Sequence, residues 1–476
     1  MVFSSPIFLF IFLPLVLAGY FVTRGRLRNL WLLGLSLVFY GWGEPRFVLV
    51  MLASIAANFG FGLWLDRRRG QPGAKALLGA AVVLNLTLLV TYKYAAFLAG
   101  NANAALTLIG ASPVTVPAFA LPLGISFYTF HALSYLVDVS RRAADGQREP
   151  TAMGLYIVFF PQLIAGPIIR YKDIAGQLVR RVVTREAFAL GVQRFVIGLA
   201  KKMLVANTVA VPADAIFSLP TWELTGGLAW LGIVCYTLPI YFDFSGYSDM
   251  AIGLALLFGF RFPENFNYPY VARSLTEFWR RWHISLSTWF RDYVYVPLGG
   301  NRRGSTRTFL NLWIVFFLCG LWHGAAWTFV AWGLYHGSFL VLERLGAGRW
   351  LERLWAPARH AYTMLAVVVG WVFFRAESLP QAGRYLAAMA GFASGTGLEH
   401  HVGLQLNAVV ALALTAGIIG SAPILPRLGQ WREDIATINL RVAVEAGRLA
   451  GLALLLVASA MQMAAGTYNP FIYFRF

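Results

Sequence analysis

Charged residues are scarce in this sequence, and cysteine is almost absent. Only 13% of the 476 residues are Asp, Glu, Lys or Arg, whereas 58% are hydrophobic. Apolar runs recur from one end to the other without a polar linker, which argues against a soluble enzyme and predicts one polytopic, all-α membrane domain over residues 1–476. Cys235 and Cys319 both lie in apolar runs, so we expect no disulfide framework.

Acidic residues are also few, with 21 Asp and Glu against 39 Lys and Arg and a net charge of +18. In a soluble protein this excess would suggest nucleic acid as a partner. In a membrane protein, Lys and Arg collect in cytoplasmic loops beside anionic lipid, so we predict membrane lipid and no nucleic acid as partners. The sequence has no metal-ligand spacing, P-loop, dinucleotide fingerprint or G-x-S-x-G elbow, and it predicts neither a metal site nor a bound cofactor.

The loops after the first five apolar runs alternate between basic and nearly neutral, and the positive-inside rule therefore places the N-terminus outside the cytoplasm. The aromatic tail 468–476 is predicted on the same, periplasmic side. The predicted membrane segments are 3–22, 30–42, 47–65, 76–98, 121–139, 154–169, 187–211, 228–260, 309–321, 325–342, 361–374, 404–425 and 447–465. The segment 154–169 contains two prolines, and we predict a broken or re-entrant segment there.

The segment 228–260 is too long for a simple span and contains an unusually polar stretch. Asp243, Ser245 and Asp249 fall within seven residues of an otherwise apolar run, and Pro239 precedes them. One interpretation is a kinked helix with satisfied caps, and the other is a break that forms the wall of a polar cavity. In the second case Asp243 and Ser245 are candidate substrate-binding residues.

Two histidines are the strongest candidates for catalysis. His283 follows Arg-Arg-Trp, and His323 lies in Leu-Trp-His-Gly between two apolar runs that we predict to form a hairpin with His323 near its inner tip. A histidine in such a run is ordinarily a core residue, but an ionisable side chain is costly at this depth. A neutral imidazole is also the commonest general base. The chain path between the two histidines could bring both to one site, although their spacing alone does not decide this.

The segment 277–292 around His283 combines tryptophan with arginine. As one helix it would place Trp279, Trp282 and Trp289 along one face. It is then an amphipathic helix at the headgroups, a binding surface for the phosphates and apolar parts of an acyl donor, or both. The candidate substrate-binding residues of this motif and of the motif at His323 are Trp279, Arg280, Arg281, Trp282, Arg291 and Trp322.

The remaining histidines are assigned lesser roles. His336 lies thirteen residues after His323 and would fall on a different face of a helix, so we predict that it packs behind the catalytic side chains. His360, His400 and His401 are predicted in loops.

At these residues the sequence resembles the membrane-bound O-acyltransferase (MBOAT) family. The resemblance covers essentially the whole chain and is carried chiefly by FWRRWHISLSTWFRDYVYVPLGG at 278–300 and LWHGAAWTFVAWGLYHG at 321–337. It implies a ring of transmembrane and re-entrant helices around a central tunnel. It also implies that His323 is the essential histidine of the buried site and that His283 is the second, upstream histidine of the bacterial branch.

The resemblance further implies an O-acetyltransferase of the bacterial cytoplasmic membrane that serves an extracytoplasmic polysaccharide. The alginate-type group is the best match, and peptidoglycan, cellulose and D-alanylated teichoic acid stay open as alternatives. The expected donor is acetyl-coenzyme A, and the expected partner is a periplasmic protein of the SGNH-hydrolase type. A transporter without chemistry of its own is the rival class, because broken helices with polar groups also form transport sites.

Overall fold

The structure is a computed structural model that describes residues 1–115, 119–393, 395–433 and 437–466. Within these ranges the chain is 76% helix and contains no strand, which confirms the all-α prediction. The tail 468–476, predicted to be periplasmic, lies outside the described residues. The ring and the tunnel stay predictions.

The α-helices, numbered in chain order, are α1 (Leu13–Val22), α2 (Leu27–Gly43), α3 (Val48–Arg67), α4 (Ala74–Leu89), α5 (Ala95–Leu108), α6 (Ile125–Ser140), α7 (Pro150–Val158), α8 (Phe160–Leu163), α9 (Tyr171–Val179), α10 (Arg185–Ala200), α11 (Asn207–Phe217), α12 (Gly226–Leu257), α13 (Leu275–Arg281), α14 (Ile284–Phe290), α15 (Gly304–His323), α16 (Trp327–Leu342), α17 (Gly348–Arg353), α18 (Ala356–Arg375), α19 (Leu379–Met389), α20 (Val402–Gln405), α21 (Ala408–Gly420), α22 (Ile424–Glu433) and α23 (Ile438–Ala464). Short π-helical segments are Phe8–Phe12, Val90–Tyr94, Lys201–Ala206, Arg291–Tyr295 and Glu343–Ala347, and 3₁₀ turns are Pro45–Phe47 and Pro269–Val271.

Long apolar helices make this a multi-pass membrane protein. In the described part of the chain, six helices are long and apolar enough to cross a bilayer, namely Pro45–Arg67, Ala74–Leu108, Arg185–Phe217, Gly226–Leu257, Gly304–His323 and Ile438–Ala464. Two of them extend further than the apolar runs predicted, because π-helical segments join α4 to α5 and α10 to α11 without a break. His360, predicted in a loop, lies in α18.

The chain divides into two compact units, and the first comprises Met1–Gly191, Ala251–Pro263 and Arg291–Tyr293. Its apolar core includes a cluster of phenylalanine rings from the N-terminal helices and α8, namely Phe3, Phe8, Phe12, Phe39 and Phe160. The predicted segment 154–169 is broken as expected: α7 ends at Val158, Phe159 turns to ψ 115°, and α8 follows. Whether this segment is re-entrant stays a prediction.

The second unit comprises Val192–Met250, Glu264–Phe290 and Val294–Phe476. Its central feature is the hairpin of α15 and α16, which residues 324–326 join, and His323 ends α15 at the tip of this hairpin, as predicted. The two helices pack closely because glycine faces backbone: a Cβ atom on Gly320 would lie 2.4 Å from the Phe329 carbonyl oxygen, and one on Gly333 would lie 2.3 Å from that of Phe316.

Of the two interpretations of 243–249, the break in the helix is wrong, and a helix that continues through this stretch is observed. The helix α12 runs without interruption over 32 residues and contains Pro239. A proline removes only one backbone donor, and long-range packing can hold such a helix together. The polar side chains meet cations within the second unit: Asp243 pairs with Lys202 at 2.8 Å, and Asp249 pairs with Arg194 at 2.9 Å and with Lys201 at 2.7 Å.

Candidate active site

A tight turn between two short helices carries His283. The predicted single helix over 277–292 is wrong, because α13 ends at Arg281 and α14 begins only at Ile284. Trp282 between them is extended, with φ −101° and ψ 129°, and His283 has the left-handed φ of 44°. A non-glycine residue in this region costs roughly 1–3 kcal/mol, so the surroundings must hold it.

Asn265 is the residue that holds this turn. It is fully buried, and its backbone carbonyl accepts the N–H of Ile284 at 2.9 Å. Its side-chain oxygen accepts the Ser285 hydroxyl at 2.9 Å, and its side-chain nitrogen donates to the Ser248 hydroxyl of α12 at 3.0 Å. The turn is thereby tied to a long helix, and His283 has a defined position.

The start of α13 is fixed from two directions. Ser274 is its N-cap, and its side-chain oxygen accepts the N–H of Glu277 at 3.0 Å. The buried carboxylate of Glu343 accepts the N–H groups of Leu275 at 2.7 Å and Thr276 at 2.9 Å. A carboxylate at a helix N-terminus satisfies donors that the helix itself leaves free, and it also favours the helix dipole.

His323 meets His283 in the interior of the second unit. The two ring centroids lie 6.4 Å apart, and both residues are at least 95% buried. Aromatic rings complete the surroundings: Phe244 lies 4.6 Å from His283, and Trp322 contacts both histidines at 5.8 and 5.0 Å. The two imidazoles therefore lie close together, as the chain path allowed, and their catalytic roles stay predictions.

Two further aromatic side chains contact His323 directly. Trp332 and Phe374 meet its ring edge to face at 5.0 and 5.1 Å. His336 lies beyond Trp332, at 5.2 Å from that ring, and is fully buried. The helical angle used to compare His323 with His336 does not apply, because the chain reverses between α15 and α16. His336 nevertheless takes the predicted position, packed behind a neighbour of the catalytic candidate.

The electrostatic state of His283 follows from its burial. Burial lowers the pKa of its imidazole well below the ordinary value of 6.5, and the neighbouring His323 acts in the same direction. The ring is therefore neutral at physiological pH, when it can donate one hydrogen bond and accept another. A neutral ring beside a reacting carbonyl can orient it without introducing a charge.

The other residues predicted from the motif around His283 divide into buried and exposed groups. Trp279, Trp282 and Trp289 are buried inside the protein, so the interpretation as an interfacial helix is wrong. Arg280 is exposed on α13, whereas Arg281 pairs with Glu277 at 2.9 Å. Arg291 belongs to the first unit and pairs with Asp292 at 2.8 Å.

Asp243 and Ser245 lie in α12 on either side of Phe244, the residue that touches His283. Both are buried, and Asp243 is engaged with Lys202. Their role in substrate binding stays a prediction. Three residues that shape the site carry no signal in the sequence: Asn265, Phe374 and Trp371, whose ring lies 4.9 Å from that of Trp282. A buried asparagine in the irregular segment between α12 and the 3₁₀ turn Pro269–Val271 has no periodic or motif signal that would single it out.

Comparison with known proteins identifies the group to which this architecture belongs. The family model for the membrane-bound O-acyltransferases matches residues 35–377, well over half of the chain, and includes both histidines. The chain belongs to the membrane-bound O-acyltransferase family. Members of this MBOAT family are acyltransferases, and this protein is therefore an O-acyltransferase.

Individual relatives match all or most of the MBOAT chain. It is 43% identical to the "Probable alginate O-acetylase AlgI" of Pseudomonas putida and 41% identical to the protein of the same name from Azotobacter vinelandii, in each case over 100% of both chains. It is also 35% identical to the "Peptidoglycan O-acetyltransferase" of Helicobacter pylori, over 84% of this chain and 81% of that one.

Proposed function

We propose that this protein transfers an acetyl group from acetyl-coenzyme A in the cytoplasm to a hydroxyl on the other side of the bacterial cytoplasmic membrane, for the O-acetylation of alginate. The observation that carries the proposal is the pair of buried imidazoles of His283 and His323, whose ring centroids lie 6.4 Å apart. The chain that holds them resembles alginate O-acetylases over its full length. Both termini are proposed to lie in the periplasm, as the alternation of basic and neutral loops supports.

In this proposal His323 acts as the general base. It takes the proton of the acceptor hydroxyl while the hydroxyl oxygen attacks the thioester carbonyl carbon, and it returns that proton to the leaving thiolate. His283, neutral and held by the Asn265 turn, donates a hydrogen bond to the carbonyl oxygen as negative charge develops there. The aromatic surroundings exclude water, which limits hydrolysis of the thioester and strengthens these contacts.

Arg280 is the best-supported candidate for the donor phosphates, because it is exposed on the helix that precedes His283. A periplasmic partner of the SGNH-hydrolase type is proposed to receive the acetyl group and to deliver it to the polysaccharide. Peptidoglycan is the second candidate acceptor, and the relative from Helicobacter pylori favours it over cellulose or teichoic acid.

The test follows a radiolabelled acetyl group. Purified protein, reconstituted with acetyl-coenzyme A and candidate periplasmic partners, should transfer the label to a partner or to added alginate. His323→Ala and His283→Ala should each reduce transfer by about 100-fold or more while the protein stays folded. His401→Ala, at an exposed histidine outside the site, is the matched control and should transfer normally. Wild-type transfer by folded His323→Ala protein would refute the proposal, and transport of polymer units without any labelled product would favour a transporter.

A further inference from the structure

The second unit contains a cavity that neither His283 nor His323 lines. Its volume is about 600 Å³, and it lies between α12, α18 and α21 beside the 3₁₀ turn Pro269–Val271. Tyr270 forms part of its wall, and the Tyr270 ring lies 6.1 Å from Trp282, the residue before His283. The cavity is thus a separate compartment that approaches the aromatic layer of the catalytic site.

One end of this cavity is basic. Arg273 and His360 both line it, and His360 Nδ1 lies 3.1 Å from the carbonyl oxygen of Ala272, so the two side chains belong to neighbouring parts of the wall. The Arg273 side chain is exposed, and the described lining residues include no aspartate or glutamate. Glu277 accepts the backbone N–H of Arg273, but its carboxylate is already paired with Arg281.

The rest of the cavity is apolar and long. Val234, Leu238, Val368 and Ile418 are among its lining residues. From Pro357 at the start of α18 to Val368, the helix rises about 16 Å, which is close to the roughly 15 Å of one leaflet's hydrocarbon layer. The Tyr270 hydroxyl in the wall donates to the Thr237 carbonyl at 2.5 Å, so these polar groups need no partner from a ligand.

We propose that this cavity binds one anionic glycerophospholipid, with its phosphate at Arg273 and one acyl chain along α18. A basic end joined to an apolar channel of one-leaflet length complements a charged headgroup joined to a hydrocarbon chain. A free phosphate ion would use only the basic end. The pantetheine arm of coenzyme A would bury its amide groups against apolar side chains, which costs free energy unless those amides are hydrogen-bonded.

The test is native mass spectrometry on the purified, delipidated full-length protein. It is titrated separately with dioleoyl phosphatidylglycerol and with dioleoyl phosphatidylcholine, which share acyl chains and differ in net charge. We expect one tightly retained phosphatidylglycerol per chain. Arg273→Ala should weaken phosphatidylglycerol binding by about fivefold and leave phosphatidylcholine binding unchanged. Val234→Phe, which narrows the apolar part, should weaken both lipids.

Matched controls separate this site from general lipid adhesion. Arg384→Ala removes an exposed arginine on α19, and Val83→Phe enlarges an exposed valine on α4, and both should bind as the wild type does. Equal retention of both lipids by the wild type would overturn the proposal, as would unchanged binding by Arg273→Ala and Val234→Phe. Displacement of the retained lipid by inorganic phosphate or coenzyme A would also overturn it and would assign the basic end to a soluble ligand. Because the readout is binding, it does not depend on the proposed acetyl transfer.

Discussion

Asn265 accepts a hydrogen bond from the hydroxyl of Ser285 at 2.9 Å, and this contact closes the turn that holds His283 in a left-handed conformation. Asn265→Ala would remove this acceptor and the donor to Ser248, so the His283 ring would lose its defined position. Displacement of a catalytic group by about 1 Å can cost on the order of 100-fold in rate. We therefore expect the rate of acetyl transfer to fall by about 100-fold, measured with radiolabelled donor.

The control for this prediction is Asn407→Ala. Asn407 is the N-cap of α21, where its side chain accepts the N–H of Val410 at 2.9 Å. Its loss should cost stability of roughly 1 kcal/mol without changing the rate per folded molecule. If Asn265→Ala protein is folded and transfers acetyl groups at the wild-type rate, the turn does not depend on Asn265.

Gly333 sets the distance between the two helices of the hairpin that ends in His323. A methyl group there would lie 2.3 Å from the Phe316 carbonyl oxygen, which is backbone and cannot move aside cheaply. Gly333→Ala should therefore push α16 away from α15, lower the thermal unfolding midpoint and reduce acetyl transfer. The unfolding midpoint and the rate of transfer from radiolabelled donor are measured on the purified protein.

Gly60→Ala in α3 is the matched control, because a Cβ atom there would meet nothing within 4 Å. Alanine is the better helix former, so this variant should be as stable as the wild type or slightly more stable. An unchanged unfolding midpoint for Gly333→Ala would show that the hairpin tolerates a wider spacing.

The sequence predicted the hairpin from its apolar runs, whereas it allowed the meeting of the two histidines without deciding it. It did not predict the break at Trp282 and His283, since locally Trp279 to Trp289 fits one amphipathic helix. That break depends on Asn265, a single residue from the irregular segment between α12 and α13. The sequence left two interpretations of 243–249 open for a related reason. The structure supports the continuous helix, because Lys202 pairs with the Asp243 carboxylate that had suggested a break. Long-range polar partners of this kind have no sequence period.

The buried pair of Lys202 and Asp243 predicts a strong dependence of stability on both partners. Each side chain is only 4% exposed, and the two charged groups lie 2.8 Å apart. Lys202→Met or Asp243→Asn alone would leave one buried charge without its counterion, at a cost of roughly 3–5 kcal/mol. The double variant Lys202→Met/Asp243→Leu should recover much of that loss. Thermal unfolding of the detergent-solubilised proteins measures these differences.

The same double variant tests the predicted substrate-binding role of Asp243. If Asp243 only stabilises the fold by pairing with Lys202, the folded double variant should transfer acetyl groups. If Asp243 binds substrate, the double variant should be folded and inactive.

The control for the stability measurement is Glu445→Gln. It removes a partly exposed ion pair with Arg448 and should change the free energy of unfolding by less than about 1 kcal/mol. Single variants as stable as the wild type would contradict the structural role.

The lowered pKa of His283 predicts how stability depends on pH. The unfolded chain has a histidine pKa near 6.5, and burial keeps the folded pKa well below that value, so between the two the unfolded state binds the extra proton. Stability should therefore be constant above pH 6.5 as far as His283 is concerned. Below pH 6.5 it should fall by up to about 1.4 kcal/mol per pH unit. The thermal unfolding midpoint, measured from pH 8 to pH 5, reports this loss.

His283→Gln should make this acid slope shallower, because glutamine keeps hydrogen-bonding groups but does not titrate. The other buried histidines, His131, His323 and His336, are retained in the variant, so part of the slope should remain. His401→Gln is the control, since His401 is exposed and lies outside the site, and its acid slope should match that of the wild type. The comparison of the two variants isolates His283 from the carboxylates that also protonate at low pH, because both variants retain every carboxylate. An equal acid slope in His283→Gln and the wild type would mean that folding does not change the pKa of His283, and burial would then not be what keeps its imidazole neutral.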